Sequence, residues 1–412
     1  MIIRVAFIVN RFPKLSETFI LNQITGLMDR GVDVDIYARH PSMHPKIHAD
    51  VQRYNLIDRT CYLGIKESDF GLTGEAISGL MRRSYRQSQT ISKLLDGNPL
   101  EERLDSISAL CKDMLSSGQG RYDIIHCHYG PNGCLGVLLK DVGVLDGKVV
   151  TTFHGYDLSR LLKQKGNDVY DYLFEKGELF MPISERWRKK IGELGCDKRK
   201  IVVHKMAVDT RKFKLISRGR RRTTNKVRLL TIGRLSKKKG IEYGIRAVAR
   251  VVEKYPWVEY RIVGDGHIRS KVEALIEELK IAGKVEVLGW MQQEDIIKLM
   301  EKADILLAPS VRSADGNEEG IPVVLMEALA QGIPVISTWH SGIPELIQDG
   351  ESGFLVPEKD VGALAEKLEY LITHPKIWSE FGRKGRKFVE EHHDIERQND
   401  QLLEIYQRLL VK

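Results

Sequence analysis

The sequence predicts an α/β chain of two doubly wound domains, each an open parallel sheet covered by helices. Three observations carry this. The chain has 412 residues, roughly twice the length of a typical domain. Short apolar runs without polar alternation, as strands buried on both faces require, recur along it between helical patterns. The polar and basic stretch Asp209–Lys226 interrupts the alternation, and Val227 restarts it. The predicted domains are therefore 1–208 and 227–394, joined by a linker over 209–226. Two such domains are expected to face each other across a cleft, with chemistry on the loops beyond the carboxyl ends of their strands.

In the first half, Ile3–Val9 is a continuous apolar run and reads as the first strand. A loop over Asn10–Leu15 follows, and Ser16 or Thr18 is placed to cap a helix starting near Phe19. Val32–Ala38, Ile124–His128 and Val149–His154 read as further strands. Residues 67–117 read as a helical insertion in which Ile77, Leu80 and Met81 stand beside Arg82, Arg83 and Arg86. That pattern suits a peripheral membrane or acceptor-facing helix, and suits better a solvated helix with one core face.

In the second half, Val227–Ile232 reads as a strand, followed by Gly233, a basic loop and a helix over Ile241–Lys254. Tyr260–Val263 is the next strand and runs into Gly264-Asp265-Gly266 and a helix through Glu278. Val285–Leu288, Ile305–Ala308 and Pro334–Ser337 complete the strands. A helix over Val323–Gln331 precedes the last of them, ending at Gly332 in the position glycine favours after a helix. Helix dominates from about Val361 to Leu410.

Composition narrows the function classes. Hydrophobic residues make up 42% and charged residues 29%, which excludes a disordered chain. The formal charge of +8 favours polyanionic partners, or serves solubility alone. Basic residues cluster at Arg218, Arg220, Arg221 and Arg222. The five cysteines are odd in number and lack C-x-x-C spacing, so reduced thiols in a cytoplasmic setting are expected. Cys127 lies between His126 and His128, but alternation along a strand keeps the three from sharing one metal. The apolar N-terminal run is short for a signal segment, and no stretch approaches the roughly 20 apolar residues of a membrane span. Membrane contact is therefore expected to be peripheral, at the inner face.

Three segments carry candidate chemistry. The first, Asn317–Pro344, holds Glu319 in a loop and Glu327 more than a turn inside a helix of Val, Leu, Met and Ala. A carboxylate in such a helix is costly unless hydrogen-bonded, and a ribose diol offers two matching donors. Glu319 is placed to meet sugar hydroxyls, and the amides of Gly320, Ile321 and Val323 to meet phosphate at a helix start. A buried Glu satisfied by a backbone turn remains the alternative. The second segment, Gly233 to Gly240, follows a strand and opens a helix, where anions bind. There Arg234 suits bidentate phosphate contact and Lys239 a point charge, so the pair could replace a divalent metal. Lys237 and Lys238 read equally well as solvated. The third, Thr152 to Asp157, places His154 at a strand end, as a ligand contact or a structural hydrogen-bonding residue. Gly264 and Gly266 begin a G-x-G-x-x-G match that fails at Arg269. Asp33 and Asp35 form a D-x-D in an apolar alternation that more simply keeps one strand face solvated.

With these segments in order, the chain resembles the retaining glycosyltransferases of family 4, which have the GT-B fold of two Rossmann-like domains. Glu319 and Glu327 match the family's E-x7-E, Gly233, Arg234, Lys239 and Gly240 its G-R-L…K-G, and Gly264 and Gly266 its G-x-G. Gly342, Pro344 and Glu345 match its G-x-P-E. The resemblance implies that Arg234 and Lys239 hold the donor pyrophosphate, Glu319 the transferred sugar and Glu327 the ribose. His154 would touch the donor sugar, and Gly289-Trp290 would lie beside the base. It implies retained configuration, no cofactor and no metal, with a helix over about 395–412 crossing back onto the first domain. Phe12–Ile20, FPKLSETFI, is similar to the colanic-acid-type exopolysaccharide subgroup and departs from the Gly-Gly loop found elsewhere in the family.

The function implied is transfer of a hexose-type sugar from a UDP- or GDP-sugar to a glycan or lipid-linked glycan, with no nucleic-acid partner. Competing readings are a nucleotide-sugar epimerase on the same fold and a non-catalytic sugar- or polyanion-binding protein. The failed G-x-G-x-x-G argues against a nicotinamide-dependent oxidoreductase.

Overall fold

The computed structural model describes residues 2–15, 17–42, 47–63, 120–141, 143–216 and 226–411. The 67–117 insertion, its Arg82–Arg86 cluster and the Arg218–Arg222 run fall outside them. The chain clusters into two compact units. Met1–Pro182, Trp187–His204 and Asn399–Lys412 form the first, and Ile183–Arg186 with Lys205–Gln398 form the second.

The first unit is built on a six-stranded parallel sheet. Its strands are β1 (Arg4–Phe12), β2 (Asp33–Pro41), β3 (Thr60–Tyr62), β4 (Arg121–His128), β5 (Asp146–Phe153) and β6 (Leu179–Pro182), in the order β3-β2-β1-β4-β5-β6. Val5 to Val9 are buried without a break, which is why that stretch has no polar alternation. The first helix, Thr18–Met28, covers the sheet with Ile20, Leu21, Ile24 and Leu27. Its N-cap residue is Glu17, which makes no side-chain cap, Thr18 is the first helical residue, and Ser16 lies outside the described residues. Leu402, Ile405 and Tyr406 of the last helix, Ile395–Val411, enter the same core.

The second unit repeats the plan with β7 (Val227–Ile232), β8 (Val258–Val263), β9 (Val285–Gly289), β10 (Ile305–Leu307), β11 (Val335–Thr338) and β12 (Gly353–Val356). Their order, β12-β11-β10-β7-β8-β9, is the first sheet's order read from the other end. Helix Ile241–Lys254 packs on it through Ile241, Ile245, Val248 and Val252, an apolar stripe at helical spacing. In each sheet the strand order reverses between the first and fourth strands, β1 and β4 or β7 and β10, the place where doubly wound folds bind ligands.

The segment at 209–216, read from sequence as linker, is packed onto the second unit. Phe213 is buried, its carbonyl accepts from Arg386 Nη1 at 2.6 Å, and the Ile216 amide donates to the Gln331 carbonyl at 3.2 Å. A single buried aromatic gives no periodicity to read.

Candidate functional site

Loops from three strand ends of the second sheet interlock at its reversal point. The Gly233 amide donates to the Val263 carbonyl at 2.9 Å, Leu235 to Asp265 at 2.9 Å, and Val311 to Lys238 at 2.8 Å. Glycine makes this approach sterically possible. Gly264 has φ +137°, and a Cβ there would lie 2.0 Å from the Gly233 carbonyl oxygen. Gly240, at φ +62°, would meet the Pro309 carbonyl at 1.9 Å.

On this frame Glu319 is buried, and its Oε1 lies 3.2 Å from Lys239 Nζ and 3.3 Å from Lys238 Nζ. Burial opposes charge on the carboxyl, but the two ammonium groups outweigh it and hold the group down at about 2. Lys238 is thus engaged rather than solvated, whereas Lys237 is exposed. Burial depresses the Lys238 ammonium, and Glu319 opposes that shift. Arg234 is exposed and makes no ion pair among the described residues. Arg234, Lys238 and Lys239 carry three positive charges against one on Glu319, so two remain for an anion.

Helix Val323–Ala330 is buried on nearly all sides and has no side-chain cap. The amides of Gly320, Ile321 and Val323, just before and at its start, have no acceptor among the described residues. Glu327, one turn in, is half-buried without a side-chain hydrogen bond or ion pair among the described residues. Burial pushes its carboxyl up to about 7, with Lys212 pulling weakly the other way. No backbone turn among the described residues satisfies it, which leaves its half-buried carboxyl open to a ligand or to solvent. Trp290 follows β9 and is half exposed, and Gly289 turns there with its carbonyl accepting from Gly264 N at 2.7 Å.

Several participants had no sequence signal. Glu318 is buried and pairs with Arg186 Nη2 at 2.7 Å and Arg312 Nε at 3.2 Å. His340 accepts from the Glu319 amide at 3.0 Å. Glu345, quoted above only as a motif letter, accepts the amides of Glu185 and Arg186 at 2.8 and 2.9 Å.

In the first unit His154 directly follows β5, with Nε2 3.0 Å from His128 Nδ1. His126 and His128 stack on one strand face with ring centroids 4.6 Å apart, and Cys127 turns to the other, toward Gly136. Burial lowers the basicity of all three imidazoles, that of His154 to about 3, so His154 is a neutral hydrogen-bonding group. Asp157 shapes its loop by accepting the amides of Gly130, His154 and Gly155 at 3.0, 3.1 and 2.8 Å. Burial pushes the Asp157 carboxyl up to about 6 against those three donors. Asp33 is held by Arg59 at 2.7 Å and Arg4 at 3.4 Å, while Asp35 accepts from Tyr122 at 2.8 Å. The D-x-D is an ion-pair cluster at the amino end of β2.

Two six-stranded parallel sheets of this order, with glycine-locked loops around a buried Glu–Lys cluster, define a transferase of the GT-B fold. Residues 16–212 match the family described as Glycosyltransferase Family 4, and residues 213–388 match Glycosyl transferases group 1. The chain is 36% identical over 376 residues to the putative colanic acid biosynthesis glycosyltransferase WcaL of Escherichia coli K12, covering 89% of each. It is 37% identical to the amylovoran biosynthesis glycosyltransferase AmsK of Erwinia amylovora, again covering 89% of each. The Anabaena HepE structure in complex with UDP superposes with a TM-score of 0.73 at 16% identity, covering 98% of this chain and 100% of that one. The chain belongs to the family 4, group 1 glycosyltransferases.

Proposed function

We propose that the chain is a retaining, metal-independent hexosyltransferase that uses a UDP- or GDP-sugar and extends a glycan or lipid-linked glycan. Its setting is exopolysaccharide biosynthesis, in the cytoplasm at the inner face of the membrane. The observation that carries this is Glu319, held anionic between Lys238 and Lys239 beside amides without acceptors among the described residues, with Glu327 eight positions further on, one turn into the helix. The names of WcaL and AmsK support the setting, and the UDP bound to HepE supports the donor class.

In this reading Arg234 and Lys239 hold the pyrophosphate, and the Gly320, Ile321 and Val323 amides add hydrogen bonds. The two surplus positive charges answer a diphosphate without a divalent ion. As the sugar–phosphate bond breaks, those fixed charges stabilise the growing negative charge. The departing phosphate is the base that takes the acceptor hydroxyl proton, so the new bond forms on the face being vacated. Glu319 orients the sugar, and Glu327 accepts from the ribose diol. Trp290 lies beside the base.

The test is transfer from UDP- and GDP-hexoses to a lipid-linked glycan, with the product anomer read by NMR. Transfer with retained configuration, indifferent to EDTA and lost in Glu319→Ala, is expected. Near-normal turnover in that variant would sink the site, inversion would sink the stereochemistry, and loss with EDTA would sink metal independence.

A further inference from the structure

We propose that His340 is a positioning residue for Glu319, acting through the main chain, and that Glu358 sets the tautomer it needs. The proposal rests on the role given to Glu319 above. His340 is buried two residues beyond β11, where its Nε2 lies 3.0 Å from the Glu319 amide nitrogen. A backbone N–H only donates, so Nε2 must present its lone pair. The ring proton then sits on Nδ1, 2.6 Å from Glu358 Oε1, which accepts it. The other Glu358 oxygen accepts the Arg312 amide at 2.8 Å. Arg312 Nε in turn pairs with Glu318 Oε1 at 3.2 Å, one residue before Glu319. The circuit Glu319–His340–Glu358–Arg312–Glu318 closes on itself and grips the loop from both sides.

Its consequence is geometric. Lys238 and Lys239 attract the Glu319 carboxylate but, as flexible ammonium groups, do not fix where its main chain stands. His340 does, and only in one tautomer. With its proton on Nε2 the ring would oppose N–H to N–H and release the loop. A misplacement of about 1 Å at a group that orients substrate costs about 10²-fold in rate.

Two isosteric changes separate positioning from bulk packing. His340→Asn keeps a donor near Nδ1 for Glu358 but offers no acceptor to Glu319. His340→Gln reaches the Nε2 position with its carbonyl oxygen. Turnover, donor KM and the thermal shift given by UDP or GDP should be measured for both, beside Glu319→Ala. His340→Asn should lose about 10²-fold in kcat while its nucleotide-induced shift stays that of wild type, and His340→Gln should recover most of the loss. Equal kcat in the two variants, or a wild-type kcat in His340→Asn, would overturn the proposal. If His340→Asn does not fold, Glu358→Ala decides. That side chain is half-buried, and its loss should lower kcat by freeing the tautomer, whereas an unchanged kcat would overturn the inference. An active Glu319→Ala enzyme would overturn the donor-site reading itself, and an inactive one beside an active His340→Asn would overturn only the role of His340.

Discussion

Glu319 Oε1 stands 3.2 Å from Lys239 Nζ, so a lysine assigned to phosphate is already committed to the carboxylate assigned to the sugar. A bound diphosphate must share that ammonium. Replacing Glu319 with Gln removes the competitor. Binding of UDP or GDP should be retained or tightened in Glu319→Gln, while transfer falls by at least about 10²-fold, as when a preorganised contact is lost. Isothermal titration beside turnover checks this. Weaker nucleotide binding in that variant would contradict the arrangement.

Glu327 gives a pH signature. Its folded carboxyl titrates at about 7 against an ordinary 4.5, so the folded state holds a proton that the unfolded chain has released. Stability is therefore lost as pH rises from 4.5 through 7. Glu327→Gln should remove the penalty and raise the ligand-free melting point at pH 8, by on the order of 1–3 kcal/mol of stability. The same change should weaken nucleotide binding. Melting curves of both proteins at pH 5 and pH 8 test it, and identical pH dependence would contradict it.

The stacked histidines act in the opposite sense. His126, His128 and His154 are held neutral in the fold, while the unfolded chain takes up protons near 6.5. Stability should fall as pH drops below 6.5, by about 1.4 kcal/mol per pH unit for each fully titrating imidazole. Urea unfolding between pH 7 and pH 5 measures the slope. His128→Gln should flatten it.

Gly264→Ala should disorganise the loop frame. The new methyl would meet the Gly233 carbonyl at 2.0 Å on a backbone of φ +137°, so the two loops must part. Destabilisation of about 1–3 kcal/mol is expected from strain of this kind, with nucleotide binding lost as well. Thermal unfolding with and without UDP reads both effects.

Legibility from sequence followed burial. β1, β2, β4, β5 and β7 to β11 were readable because buried strands leave short runs rich in apolar residues. The strands not anticipated, β3, β6 and β12, are three or four residues long and lie at sheet edges, where neither length nor pattern accumulates. Among site residues, Glu327 stood out as a charge in an apolar helix, and Arg234 as a cation after a buried strand. Lys238 looked like its exposed neighbour Lys237, because nothing in a run of three lysines says which one folds inward. His340 meets Glu319 across 21 residues and two strand ends, a contact that only the tertiary fold creates. Asp157 was visible only as a letter beside His154, yet its carboxylate gathers three amides that shape the loop.

The most direct test of the central claim is thermal unfolding with UDP, GDP, ADP and NAD, for the wild type and Arg234→Ala. A nucleotide at about 100 times its dissociation constant adds about 2.7 kcal/mol of stability, a readily measured shift. The account predicts stabilisation of the wild type by UDP or GDP, and its loss in Arg234→Ala. No response to either nucleotide, a response only to NAD, or an equal response in the variant would contradict it.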